Sequence, residues 1–110
     1  MQHPNSDIYI TKGDISTVVN LSGQLAEFTT PHPVAEYEKR LQGRRHLIQI
    51  AYQDTQPIGF KVGYEKSKQV FYSWMGGVLA AHRRQGVAQL LADAQEAWAK
   101  EQGFTQIEMK

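Results

Sequence analysis

Apolar residues recur at two spacings along this chain, and each switch of spacing marks an element. Ile8-Tyr9-Ile10 predicts a short first strand. Asp14 then stands as N-cap to a helix expected over 15–28, with Ile15, Val18, Val19, Leu25, Ala26 and Phe28 as apolar positions and Gly23 weakening its middle. The Thr-Thr-Pro-His-Pro run at 29–33 has to be a loop, because two prolines bracket one residue. Pro33 suits the first turn of a second helix that carries Val34, Tyr37 and Leu41 on one face, pairs Glu36 with Arg40, and ends at Gly43.

From residue 46 the period becomes two. Ile48, Ile50 and Tyr52 alternate within a strand at 46–53, and Asp54-Thr55-Gln56-Pro57 turns the chain. Ile58, Phe60, Val62 and Tyr64 are expected on one face of a strand at 58–65. After a turn at Ser67-Lys68, residues 70–79 complete a meander. The helical period returns at 86–102, with Val87, Leu90, Leu91, Ala94 and Trp98 as the buried stripe, Glu96 and Lys100 paired outside, and Gly103 as C′ residue. Residues 104–109 form a last strand. The order is β-α-α-β-β-β-α-β, a layered α/β fold with a mixed sheet. The last helix joins two strands as a βαβ crossover does, so parallel pairing is expected at the end of the sheet.

Composition narrows the function classes. The 110 residues suffice for one domain. A net charge of +1, with the basic residues dispersed, argues against a nucleic-acid binder. There is no cysteine, hence neither disulfide framework nor thiolate chemistry, which fits a reducing compartment. The N-terminal segment has neither the basic nor the apolar region of a signal peptide, and no apolar run reaches membrane-spanning length. A cytoplasmic protein is expected. The four histidines (His3, His32, His46 and His82) show no metal-ligand spacing. The basic cluster Arg44-Arg45-His46 suits a helix end and needs no partner.

The stretch GGVLAAHRRQGVAQLL at 76–91 has the strongest chemistry. It places a glycine-containing turn between a strand and an amphipathic helix. The first turn of a helix offers N–H groups without internal partners, at the positive end of its dipole. Gly86 has no side chain and Ala88 only a methyl, so an anion can reach the main chain, while Arg83 and Arg84 add charge. The sequence is neither a Walker A loop nor a dinucleotide fingerprint.

Arg83-Arg84-Gln85-Gly86-Val87-Ala88 resembles the Q/R-x-x-G-x-G/A signature of the GNAT superfamily of N-acetyltransferases. Gly77-Val78-Leu79 is similar to the end of that family's fourth strand, LLADAQEAWAKEQGF to its third helix, and the element order agrees. The resemblance implies acetyl-coenzyme A as acyl donor. Its pyrophosphate would lie on the amides of Arg84, Gln85, Gly86, Val87 and Ala88, with Arg83 opening the loop. Its pantetheine arm would pair with the backbone at Val78 and Leu79, by strand addition. A bulge at Gly76-Gly77 is expected to splay the fourth and fifth strands, and the Val78 amide to serve the oxyanion.

The family's strand glutamate falls near Tyr72, a poor base with an ordinary pKa near 10. Glu65 is the nearest carboxylate by sequence, with a solvated strand end as its other reading. The acceptor amine is expected over the 29–33 loop, near His32, Glu36 and Tyr37. The sequence stops before the family's fourth helix and last two strands, so the expectation includes a homodimer that covers the exposed sheet edge. It also leaves a second reading open: a non-catalytic module that binds the donor without turnover.

Overall fold

The computed structural model describes residues 8–25, 27–28 and 30–109; His3, Ala26 and Thr29, to which expectations were attached, lie outside the described residues. The chain runs β1 (Ile8–Lys12), α1 (Ile15–Gly23), α2 (Val34–Leu41), β2 (His46–Gln53), β3 (Gln56–Ser67), β4 (Val70–Val78), a short 3-10 turn (Ala80–His82), α3 (Val87–Glu101) and β5 (Gln106–Met109). Five strands make one sheet in sequence order, antiparallel except for the parallel β4–β5 pair. Helices cover both faces. The architecture is the expected mixed α/β one.

Local chemistry accounts for most boundaries. The Asp14 carboxylate accepts hydrogen bonds from the Thr17 amide at 2.9 Å and the Thr17 hydroxyl at 2.7 Å, which caps α1. α1 ends at Gly23 rather than Phe28, because the Gln24 amide turns back onto Leu21 and Ser22. Leu25 is nevertheless buried, now as a loop residue. The β2–β3 hairpin is tighter than expected: Gln53 pairs with Gln56, and Asp54 takes φ 55°. The strand therefore begins before Pro57 rather than after it.

Two of the register shifts between the described strands decide which side chains meet near the cleft. Opposite Ala51 the β3 strand carries an extra residue, Ile58, so its alternation slips. Phe60, Val62 and Tyr64 face α1 and α2 with Ile48 and Ile50. Ile58, expected on that face, instead packs with Ala51, Val78, Val87 and Leu91 under α3. In β4 the extra residue is Trp74, between the Val62–Met75 and Gly63–Ser73 pairs. This corrects the bulge expected at Gly76-Gly77, which lie in regular register with Lys61 and Phe60. Gly77 has a packing reason: a Cβ there would stand 2.4 Å from Leu25 Cδ1.

α3 buries Val87, Leu91, Gln95 and Ala99, and Leu90 is 41% exposed instead of lying on the stripe. Gln89 bonds Asp93 on the outer face, and no Glu96–Lys100 ion pair occurs among the described residues. Arg45 does have partners. It donates to the Gln102 carbonyl at 2.6 Å, pairs with Glu65 at 3.4 Å and lies over the Phe104 ring, so it joins the end of α3 to the sheet.

Gly63 marks the tightest contact between strands and rings. A Cβ there would lie 2.4 Å from Phe71 Cε2 and 2.8 Å from the Tyr72 carbonyl, neither of which can move freely. Gly63→Ala is therefore expected to destabilise the fold by about 1–3 kcal/mol. At Gly23 a Cβ meets nothing within 4 Å. Gly23→Ala is expected to stabilise by about 0.5 kcal/mol through the unfolded chain. Denaturant titrations of both variants check the opposite signs.

Candidate functional site

The end of β4, the turn that follows it and the first turn of α3 enclose a cleft of about 830 Å³. Its construction begins with the turn. Arg84 and Gly86 both have left-handed backbones, φ 68° and 79°, and Gly86 is the N-cap of α3 with no side-chain cap. Left-handed residues next to helical ones aim successive amides to one side, which makes an anion-binding concavity. The Arg83 amide is already bonded to the Ala80 carbonyl. From Arg84 to Gln89, none of the amides donates a hydrogen bond among the described residues. Gly86 and Ala88 are exposed, and a Cβ on Gly86 would meet no protein atom within 4 Å.

β4 supplies the wall. The Leu79 amide donates to the Ile58 carbonyl at 2.8 Å, which makes Leu79 and Ile58 a hydrogen-bonded pair. By antiparallel alternation the polar groups of Gly76 and Val78 then point away from β3. The described β5 pairing ends at Ser73–Met109, so that edge of β4 is open from Gly76 to Val78. Leu79 does not share this edge: its amide goes to Ile58 and its carbonyl receives the His82 amide at 2.9 Å. The expected backbone contact at Leu79 is corrected accordingly, and the open polar groups are those of Gly76 and the Val78 amide, since the Val78 carbonyl accepts from Arg83.

Charge is arranged by side chains far apart in sequence. Arg83 donates through Nε to the Val78 carbonyl at 3.1 Å and through Nη2 to Glu27 at 2.8 Å. It ties β4, the turn and the segment after α1 together. Glu27 lines the large cleft and also a neighbouring cavity of about 220 Å³ with His32 and Met75. A hydrogen bond from its own amide and the Arg83 guanidinium hold its carboxyl below the usual range. Sequence reasoning missed Glu27, because its partner lies 56 residues away.

The other candidates fall elsewhere. Glu65 pairs with Arg45 near the C-terminal end of α3, while the cleft is at the N-terminal end of that helix. Tyr72 stacks edge-on against Tyr64 and pairs with Glu108, on the far side of the Trp74 bulge from Gly76. Neither lines the cleft. Tyr37 is fully buried against Trp74, with ring centroids 4.9 Å apart, so it is a core residue and not an acceptor contact. Glu36 is held at 2.9 Å by Arg40, which also donates to the Tyr64 hydroxyl and covers the Trp74 ring. Of the three acceptor candidates, only His32 lines the smaller cavity.

The sequence model of the acetyltransferase (GNAT) family matches residues 18–110. The chain belongs to this family of acetyl-CoA-dependent N-acetyltransferases. A search of curated proteins finds no match. Among solved structures, the aminoglycoside acetyltransferase meta-AAC0020 from an uncultured soil metagenomic sample, in complex with sisomicin, superposes with a TM-score of 0.76 at 17% identity, over 98% of this chain and 80% of that one. AAC(6')-Iy in complex with a bisubstrate analogue, CoA-S-monomethyl-acetylneamine, gives 0.74 at 23% identity, over 96% and 80%. The ribosomal-protein-S18-alanine N-acetyltransferase of Escherichia coli gives 0.79 at 13% identity, over 93% and 65%. At these identities the likeness is one of fold. Among the described residues, no helix of this GNAT chain is long and apolar enough to cross a membrane.

Burial raises the Tyr37 phenol above its ordinary value of 10.0. The folded state therefore favours the neutral ring. That contribution to stability is intact below the unfolded value and is lost as pH rises towards the folded one, since the unfolded phenol ionises first. Denaturation midpoints are expected to fall above a pH of about 10 and to fall less steeply in Tyr37→Phe. Equal slopes for the two proteins would count against this assignment.

Proposed function

We propose that residues 1–110 form a single N-acyltransferase domain that binds acetyl-CoA in the large cleft and transfers its acetyl group to a primary amine in the cytoplasm. The observation that carries this reading is the unbroken series of undonated amides from Arg84 to Gln89, leading to the open edge of β4. The residues fit the donor on physical grounds. Amides at a helix start suit a diphosphate, an open strand edge suits a pantetheine amide, and the exposed Gly86 leaves room between them. In this reading Arg84, Gln85, Gly86, Val87 and Ala88 hold the diphosphate. Arg83 fixes the turn by its bonds to Val78 and Glu27.

The acceptor amine enters over the smaller cavity, beside His32 and Glu27. Its nitrogen attacks the thioester carbonyl, the carbon–sulfur bond breaks, and the proton passes from nitrogen to the leaving thiolate or to solvent. The Val78 amide, aimed off the β3 side, is the group of this chain set to receive the developing oxyanion. Holding both reactants in one cleft supplies the remaining advantage. A second copy of the chain pairing along the outer edge of β5, where Met109 is 63% exposed, would extend the sheet.

One observation favours the other reading, a module that binds the donor without turnover. Glu65 and Tyr72 lie away from the cleft, and the carboxylate that does line it, Glu27, is committed to Arg83. Calorimetric titration with acetyl-CoA tests the binding reading, and release of free thiol across a panel of amines separates catalyst from module. Gly86→Val is expected to weaken acetyl-CoA binding at least about tenfold, roughly 1.4 kcal/mol, because a β-branched residue cannot keep φ at 79°. Unchanged affinity in a folded Gly86→Val protein would reject the diphosphate site.

A further inference from the structure

Lys61 is a cation of the cleft that the donor reading leaves unused. It pairs with Gly76 across the β3–β4 ladder. Its neighbours Phe60 and Val62 face α1 and α2, so its own side chain rises on the α3 side, where the cleft lies. Its Nζ reaches to 3.8 Å from the position a Cβ on Gly76 would occupy. Among the described residues this amine has neither ion pair nor hydrogen bond. The charged or titratable groups that share the cleft are Glu27, His82, Arg83 and Arg84, and Glu27 is committed to Arg83 at 2.8 Å. Lys61 is half-buried, and that burial lowers its pKa from 10.5. More of it is therefore neutral near neutral pH than of a solvated lysine, and only the neutral amine has a nucleophilic lone pair.

Position along the strand separates this amine from the diphosphate. The undonated amides begin at Arg84, beyond Val78, whereas Gly76 lies further back along the open edge of β4. A thioester arm that leaves the turn along that edge runs from Val78 toward Gly76. We propose that Lys61 is an internal acyl acceptor, acetylated on its ε-amine by a thioester donor bound in its own cleft. The proposal rests on the donor reading given above. The Nζ lone pair attacks the thioester carbonyl carbon, and a carbon–nitrogen bond forms. The carbon–sulfur bond breaks, sulfur leaves with the electron pair, and the proton lost by nitrogen completes the free thiol. No further reactant is required. The product is a neutral acetamide on the cleft wall, one positive charge fewer, standing where the next donor arm would lie.

The test incubates the full chain with acetyl-CoA and no added amine, alongside a calorimetric titration of the same protein with coenzyme A. Mass spectrometry of the intact chain and its peptides follows acetylation site by site. The expected result is a gain of one acetyl group, mapped to Lys61, at least about tenfold faster than at Lys12, Lys39 or Lys100, as intramolecular delivery requires. The rate should not depend on protein concentration, excess coenzyme A should suppress it, and Lys61→Arg should lose the modified peptide. Binding without preferential acetylation at Lys61 overturns this inference and leaves the donor reading standing. No binding in the titration overturns both.

Discussion

Backbone polar groups seek partners, and beside one cleft of this fold two sets of them find none among the described residues. One set lies on the outer edge of β4, at Gly76 and the Val78 amide, and the other is the amides from Arg84 to Gln89. Neighbouring groups are spent: Leu79 on Ile58 and His82, the Arg83 amide on Ala80. What remains is a set of backbone donors and acceptors that line one side of the cleft. The left-handed turn and the bare Gly86 leave these groups accessible from the cleft.

The rest of the molecule works to hold β4 and α3 in place around it. The Trp74 bulge puts Trp74 and Met75 on the same face, so the indole joins Tyr37, Tyr64 and His32 while the strand continues to the glycines. Arg40 closes that cluster by covering the Trp74 ring and bonding Glu36 and Tyr64. On the other face Val87 and Leu91 press the start of α3 onto Ile58 and Val78, which fixes the undonated amides next to the strand edge. Arg83 then bridges from the Val78 carbonyl to Glu27, the carboxylate that the large cleft and the smaller cavity share. Both partners are about half-exposed, which limits the pair's worth to stability and leaves its role one of orientation.

Legibility followed the range of the interactions. Asp14 as N-cap, the Glu36–Arg40 pair and β2 at 46–53 depend on residues close in sequence, and each could be read there. The signature turn and its strand and helix belong to the same class, because a turn, a cap and an amphipathic stripe are local devices. The failures have another pattern. Ile58 changed face because a bulge opposite Ala51 shifted parity, and nothing in IGFKVGYE distinguishes that from plain alternation. Gly76-Gly77 suggested a bulge, but glycine there answers to close packing by Leu25, a loop residue more than fifty positions earlier.

The amino-acid pattern by itself determined the order of elements, the mixed sheet with its parallel end, and a helix start able to hold an anion. Each of these follows from spacing and backbone chemistry within about one turn or one hairpin. Tertiary structure alone decided which charges serve the cleft. It brought Glu27 to Arg83, set Lys61 beside Gly76, and sent Glu65 to Arg45 at the far end of α3. The physical reason is that side-chain neighbours across a sheet depend on register and bulges. A one-residue slip in either reverses every face beyond it, and no local stretch records that slip.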